Sequence, residues 1–196
     1  MSYAFSLAST ALFVIAVQNP VLIGGLGSSE AFRMAAKPKW LLAFSAFISM
    51  FSVSLSIICV LLDLIPEIKA LNQHFHYLIY IGVLAALYLA SCLIAMLLKA
   101  DKGLISRLSV AALNSLVLSI PMINHLSGFN IYKAAGYGLG AGAAFCLAVL
   151  LINAGVKRLR ENDEIPPAFK GSPAVFIYAA LISLGLYALS GRVLMI

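Results

Sequence analysis

The residues of this sequence with the clearest capacity for chemistry interrupt an apolar segment near its start. From Gln18 to Ser29 the chain reads Gln-Asn-Pro-Val-Leu-Ile-Gly-Gly-Leu-Gly-Ser-Ser. Pro20 has no backbone N–H, and the glycines allow the backbone to leave helical geometry at little cost. In hydrocarbon such a break is tolerated only where the freed backbone groups are buried in protein or face a polar cavity. The stretch therefore predicts a broken helix, whose amides, hydroxyls and carbonyls could coordinate a small solute or an ion.

A second polar break is predicted in the other half of the chain, at Asn114-Ser115-Leu-Val-Leu-Ser119-Ile-Pro121. Two interrupted helices at corresponding positions of two halves are the usual indication of a site between inverted repeats. Two kinked helices without a ligand are the alternative that spacing alone leaves open. The polar residues predicted to line the central site are Gln18, Asn19, Ser28, Ser29, Asn114 and Ser115.

Three histidines and one carboxylate are the other side chains that suggest chemistry. The spacing of His74 and His76 would suit a metal ion, but both residues and His125 lie near predicted helix ends. A solvated interface is therefore the favoured interpretation. Asp63 lies near the end of an apolar run, where a snorkelling or capping role is favoured over a functional one. No acidic or basic residue is expected at the middle of a span, which argues against a self-contained proton or sodium relay.

Four glycines in the second half superficially resemble a nucleotide-binding loop, in the sequence Gly136-Tyr-Gly138-Leu-Gly140-Ala-Gly142. No strand is predicted before them, and they lie within an apolar helix. Glycines four residues apart are typical of close helix packing in membranes, so Gly136 and Gly140 are predicted to pack against another helix.

The composition identifies an integral membrane protein. Of 196 residues, 63% are hydrophobic and 10% are charged, whereas soluble domains carry about 25% charged residues. The net charge of +6 does not indicate nucleic acid, because basic residues beside membrane spans usually set orientation. Three separated cysteines, without a CxxC motif, are interpreted as small buried apolar residues. We expect one membrane domain over 1–196, with repeats of about 1–100 and 101–196.

Six segments are long and apolar enough to cross a bilayer, which takes about 20 residues. The connectors between them alternate in their number of basic residues. The first, third and fifth hold three, three and four Lys or Arg residues, whereas the second, the fourth and the C-terminal end hold one each. This bias predicts that the first, third and fifth connectors are cytoplasmic and that both termini lie outside. The fold class is thus all-α, with six transmembrane helices in two inverted three-helix repeats. The predicted spans are 3–26, 40–64, 74–98, 106–126, 132–155 and 173–194.

The chain resembles, over essentially its whole length, the six-helix membrane subunits of the Rnf and sodium-translocating NADH:quinone oxidoreductase (Nqr) complexes. The similarity is to the A subunit of Rnf and the E subunit of the quinone reductase. It implies a fold with broken first and fourth helices in a bacterial or archaeal cytoplasmic membrane. The motifs that carry it are Asn19-Pro-Val-Leu-Ile, Leu26-Gly27, Asn114-Ser-Leu-Val-Leu, Tyr137-Gly-Leu-Gly-Ala-Gly142, Ile165-Pro-Pro-Ala-Phe-Lys-Gly171 and Leu189-Ser-Gly191.

The chain departs from this family at two positions that matter chemically. The family pattern has one cysteine at each broken helix, as Leu-Gly-x-Cys and Asn-Cys, and two related subunits of opposite topology hold a [2Fe–2S] cluster between them. Here Ser29 and Ser115 occupy those positions. These clusters are held by thiolates, and a serine hydroxyl is a far weaker acid and a harder donor. The resemblance therefore implies no cofactor bound by this chain alone and no metal at these two serines.

Two hypotheses of different classes follow, and a third is disfavoured. The first is a non-catalytic subunit of a redox-driven ion translocase, which serves assembly or gating of the transmembrane path. Its partners would be other Rnf/Nqr-type subunits, with an opposite-topology homologue or a second copy beside it. The alternative is a stand-alone transporter for a small solute or ion, bound between the broken helices. An electron carrier with serine ligands is disfavoured.

Overall fold

The computed structural model describes residues 3–189, and within that range the chain forms nine helices and no strand. The helices, in chain order, are α1 (Tyr3–Ala16), α2 (Ser28–Ala36), α3 (Leu41–Leu62), α4 (Pro66–Lys69), α5 (Gln73–Leu97), α6 (Lys102–Ala112), α7 (Ser115–Leu126), α8 (Ile131–Glu161) and α9 (Ser172–Leu189).

Four helical segments in the described range have the length and composition to cross a membrane. They are α3, α5, α8 and the combined segment α6–α7, Lys102–Leu126, while α1 and α9 are shorter apolar helices. The chain is therefore an all-helical integral membrane protein. The six-span inverted repeat stays a prediction, and the last part of the predicted span 173–194 lies outside the described residues.

Local sequence determines where several of these helices begin and end. Pro66 begins α4 at a position where a missing N–H costs nothing. The Asn130 side chain accepts a hydrogen bond from the Lys133 N–H at the start of α8. Two arginines, Arg158 and Arg160, lie in the last turn of α8, where the helix dipole favours cations. Helix α8 thus continues to Glu161, beyond the predicted span end at residue 155.

Helix α8 lies at the centre of the bundle and contacts α1, α2, α3, α7 and α9. The glycines of α8 allow neighbouring helices to approach closely on two of its faces. Gly136 and Gly140 lie against the backbone of α1, where a Cβ at Gly140 would be 2.8 Å from the Ala11 carbonyl oxygen. Gly138 and Gly142 lie against α3, where a Cβ at Gly138 would be 2.8 Å from the Val53 nitrogen. Small residues allow this close backbone approach, which drives helix association in lipid.

The segment from α1 to α2 runs alongside α8 as a single crossing with a break in its middle. Gly136 of α8 lies against Leu7 and Gly140 against Ala11. Further along, Asn19 bonds to Ala144, and Ala35 bonds to Asn153. At 1.5 Å per residue, residues 136–153 of α8 extend about 25 Å, which is most of a bilayer core. The chain therefore continues alongside α8 through α2 to Ala35, beyond the predicted span end at residue 26.

The second broken segment also differs in detail from its prediction. The interruption lies at Leu113 and Asn114, between α6 and α7. Pro121 lies buried inside α7 and does not end that helix. Neighbouring helices in a membrane protein tolerate such a proline, because they compensate for the missing hydrogen bond. The polar break is thus due to the asparagine rather than the proline.

We expect Gly140→Leu to lower the free energy of unfolding by about 1–3 kcal/mol, because its side chain would meet the α1 backbone. Thermal unfolding of the purified protein in mild detergent measures this. Gly82→Leu on α5 is the matched control, since no atom beyond its chain neighbours and its own helix backbone lies within 4 Å of the position of its Cβ. Equal melting temperatures for the two variants would contradict the close α1–α8 contact.

Candidate functional site

The two breaks in the membrane segments meet. The Gly27 N–H donates to Ser115 Oγ over 2.9 Å, which joins the start of α2 to the start of α7. A Cβ at Gly27 would lie 2.7 Å from Asn114 Oδ1, and its φ of +70° is in the left-handed region. Glycine is therefore needed here for both space and conformation. Ser115 lies near the middle of the Lys102–Leu126 segment, so the junction lies near the middle of this candidate membrane span.

The two asparagines at the breaks have the same local role. Asn19 Oδ1 accepts the N–H of Val21 over 3.0 Å, and Asn114 Oδ1 accepts the N–H of Leu116 over 2.9 Å. Both asparagines are buried. Each side chain thus caps the turn that follows it and satisfies a backbone donor that the break leaves free. This local bonding is what makes an interrupted helix tolerable in hydrocarbon.

The two asparagines differ at their amide nitrogens. Asn19 Nδ2 donates to the Ala144 carbonyl oxygen over 3.0 Å, which ties the first break to α8. Asn114 Nδ2 is buried and has no hydrogen-bond partner within the described part of the chain. An unpaired buried polar group costs about 1–3 kcal/mol. The second break therefore keeps one free donor at the junction.

A surface hollow lies at the junction of the two breaks, and half of the predicted site residues line it. Ser29 and Ser115 are exposed there, beside the buried Asn114. The other three predicted residues lie elsewhere. Asn19 faces α8, Gln18 is half-buried in the first break, and Ser28 lines a separate cavity beside α9. The hollow is lined by Ser29, Glu30, Ser109, Val110, Leu113, Asn114 and Ser115.

Glu30 is a site residue that the sequence analysis missed. It lies in the first turn of α2, and its Oε2 is 2.5 Å from Arg33 Nη2, an ion pair without hydrogen-bond geometry. Since α2 begins at the level of Ser115, Glu30 is a charged residue beside the middle of the Lys102–Leu126 segment, where the sequence analysis expected none. The positive end of the α2 dipole favours a carboxylate at this position. Extending the broken helix through the glycines to the Glu30–Arg33 pair, at i,i+3 spacing, would have found it.

The donor groups of the hollow are hydroxyl, amide and carboxylate groups. The thiols lie in other parts of the chain, since Cys59 and Cys92 are buried in α3 and α5, and Cys146 lies on α8 beside Leu42. Iron–sulfur clusters are held by thiolates. The residues of the hollow therefore do not fit the [2Fe–2S] cluster of the family that the sequence resembles. Oxygen donors of this kind suit protons and hard cations.

The histidines do not follow their predicted placement. His74 is exposed, as expected of a solvated interface, but His76 is buried with 2% of its surface accessible. Asp63 is the C-cap residue of α3, and its carboxylate contacts His76 and His125. The interpretation of all three histidines as solvated is therefore wrong. Residues distant in sequence form this cluster, so spacing alone could not reveal it.

The fold and site define a class: a multi-pass membrane protein with two broken helices that meet near mid-membrane. The model of the Rnf-Nqr family, described as "Rnf-Nqr subunit, membrane protein", matches residues 7–193. The chain therefore belongs to the Rnf-Nqr family. This finding confirms the resemblance inferred from the sequence motifs.

Individual relatives match over shorter segments. The chain is 39% identical to the A subunit of the ion-translocating oxidoreductase complex of Aromatoleum aromaticum over 80 residues, and these residues make up 41% of either chain. It is 30% identical over 86 residues to the A subunit of the proton-translocating ferredoxin:NAD(+) oxidoreductase complex of Clostridium ljungdahlii, 44% of either chain. The A subunit of the ion-translocating complex of Serratia proteamaculans is 36% identical over 80 residues, again 41% of either chain. The chain thus spans about two fifths of the length of these curated relatives.

We expect Asn19→Ala to lower the free energy of unfolding by about 1–3 kcal/mol, because buried backbone groups would lose their partners. Hydrogen bonds to Val21, Leu22 and Ala144 would all be lost. Thermal unfolding measures the change, with Gln18→Ala at the half-buried neighbouring position as the control. A melting temperature of Asn19→Ala equal to that of Gln18→Ala would show that the break does not depend on this amide.

Proposed function

We propose that this chain is a membrane subunit of an Rnf/Nqr-type ion-translocating electron-transport complex and holds no [2Fe–2S] cluster of its own. One observation supports the proposal that the chain holds no cluster of its own. Ser29 and Ser115 are both exposed in one hollow, where the broken helices meet. A serine hydroxyl is a far weaker acid than a thiol and is a poor ligand for such a cluster. Electrons would cross the membrane through another subunit.

The exposure of the hollow supports a protein partner at this face. Ser29, Ser115 and Leu113 are open on the surface of the isolated chain, and Glu30 lies beside them. Hydroxyls and a carboxylate near mid-membrane are costly against lipid. A second protein with polar groups at the same depth would remove that cost. We propose an opposite-topology homologous subunit in this place, and a second copy of this chain is the other outcome.

In such a complex the chain would serve assembly and would gate the path between the two membrane faces. Two features of the hollow support gating. The starts of α2 and α7 meet there, joined by the bond from Gly27 to Ser115, and half-helix ends are where membrane transporters bind ions. Glu30 adds a carboxylate whose partner, Arg33, is exposed. The names of the relatives, which specify ion translocation and proton translocation, agree with this role.

We propose further that the protein lies in a bacterial or archaeal cytoplasmic membrane with both termini outside. Support comes from the last turns of α8 and the connector that follows them, which together hold exposed basic residues. Lys157 and Arg158 follow the buried part of α8, and Lys170 precedes α9. Basic residues next to spans remain preferentially on the cytoplasmic side.

Purification from native membranes in mild detergent tests the central proposal. We expect further redox subunits to co-purify with the chain, and we expect the chain separated from them to contain no iron. Protein mass spectrometry and an iron assay are the measurements. Iron in the separated, unmodified chain would overturn the cluster-free proposal. Recovery of the chain without any redox subunit would favour the stand-alone transporter, for which the oxygen-lined hollow is the candidate site.

A pair of introduced cysteines tests whether Ser29 and Ser115 occupy the ligand positions of the cluster. Ser29→Cys combined with Ser115→Cys would place two sulfurs in the hollow, and a [2Fe–2S] cluster needs four ligands. Expressed with its partner, this variant should acquire iron and cluster absorption if that partner supplies the other two. Ser28→Cys combined with Ser115→Cys is the matched control, because Ser28 lines a different cavity. Iron bound equally by both pairs would refute the assigned ligand positions.

Orientation is tested by cysteine labelling in intact cells. A cysteine at Asn162 should resist a membrane-impermeant thiol reagent, because the α8–α9 connector is cytoplasmic in the proposal. A cysteine at Ser127, exposed after the end of α7, should react readily. Labelling of the disrupted membranes shows that both cysteines are reactive. Labelling at Asn162 with protection at Ser127 in intact cells would show that the topology is the reverse of the one proposed.

A further inference from the structure

Three helix ends meet at a second cluster of side chains, which shares no residue with the hollow. Asp63 follows α3, His76 lies near the start of α5, and His125 lies in the last turn of α7. The carboxylate is shared by the two imidazoles. His76 Nδ1 lies 3.1 Å from Asp63 Oδ1, and His125 Nδ1 lies 2.9 Å from Asp63 Oδ2. The two rings are tilted against each other with their centroids 4.3 Å apart.

The cluster is enclosed on one side and reachable from the other. The side chain of His76 is 2% accessible, while those of Asp63 and His125 are 19% and 26% accessible. All three residues lie at the same end of the bundle, at helix ends rather than in the middle of a span. A small ion from the adjacent aqueous phase can therefore reach ligands that a buried wall already orients.

We propose that Asp63, His76 and His125 bind a divalent transition-metal ion, with Zn²⁺ as the representative. Two imidazoles and one carboxylate form a three-residue zinc ligand set that leaves a fourth position for water. One ligand atom from each residue lies within 4.8 Å of the others. Metal–ligand bonds of about 2.0–2.1 Å in a tetrahedron place ligand atoms about 3.3 Å apart. The observed nitrogen–oxygen distances, each to a different oxygen of Asp63, are within a few tenths of an ångström of that value.

Two features around the cluster favour a cation. Helices α3 and α7 both end there, and the carbonyl end of a helix carries partial negative charge. Tyr80 donates its hydroxyl hydrogen to Asp63 Oδ2 over 2.6 Å. Hydrogen bonds of this kind orient metal-binding carboxylates and support affinity. Bound metal would clamp the ends of α3, α5 and α7 together.

The competing account is a hydrogen-bonded cluster in which each imidazole donates its Nδ1 hydrogen to Asp63. That arrangement also satisfies the carboxylate, and it predicts no preference for metal. The two accounts are independent of the proposed function, because the cluster shares no residue with the hollow. Metal binding therefore distinguishes them without reference to electron transport.

The experiment uses the full-length protein with an affinity tag that contains no histidine. A chelator first removes bound metal, and the protein is then exchanged into mild detergent without the chelator. We expect one Zn²⁺ per chain by elemental analysis and a rise in melting temperature on adding Zn²⁺. Co²⁺ should produce the intense visible absorption of a tetrahedral site. His125→Ala should weaken Zn²⁺ binding about 100-fold or more, and Tyr80→Phe about 10–100-fold, as expected for loss of a supporting hydrogen bond.

His74→Ala is the matched control, because His74 is exposed and two residues from His76. It should bind Zn²⁺ as tightly as the unmodified protein. His125→Gln, which keeps a polar side chain, replaces His125→Ala if that variant does not fold. The proposal is overturned if the unmodified protein binds no Zn²⁺ at micromolar concentration. It is equally overturned if His74→Ala loses as much affinity as the His125 variants, or if none of the variants loses any.

Discussion

The structure depends on one constraint: in hydrocarbon, each backbone N–H and C=O group must find its partner within protein. Two of the membrane segments break their helices, and each break survives because an asparagine replaces the missing helical bonds. Asn19 accepts two backbone N–H groups and donates to Ala144, and Asn114 accepts one. The bond from Gly27 to Ser115 then joins the two breaks. A polar junction near mid-membrane is the direct consequence.

Close packing of α8 is what holds these breaks in register. Asn19 can reach the Ala144 carbonyl only because α1 lies directly against α8, at the glycine contacts Gly136 and Gly140. The glycines on the opposite face admit α3 in the same way. Without a hydrophobic driving force between helices in lipid, such shape complementarity supplies much of the association energy. The glycine pattern and the polar junction are therefore parts of one arrangement.

The hollow combines oxygen donors with exposure, which supports the proposal that the chain is covered there by a partner in a complex. Exposed Ser29 and Ser115 at mid-membrane depth are unfavourable against lipid, and Glu30 is more so. A partner that covers them converts that cost into specificity for its own polar groups. Under the proposed function, hydroxyls in place of thiols would leave a face for a partner while removing the ligands of an electron carrier.

The sequence by itself determined the membrane class, the family and the location of both breaks, because these depend on composition and on local residue chemistry. Proline, glycine and asparagine act on their own backbone, so Asn19 and Asn114 could be identified from spacing. Only the tertiary structure decided that α2 continues alongside α8 and brings Glu30 beside Ser115. It also brought His76 and His125 to one carboxylate. Those contacts join residues separated by tens of positions, and their formation depends on how the helices pack rather than on any local preference.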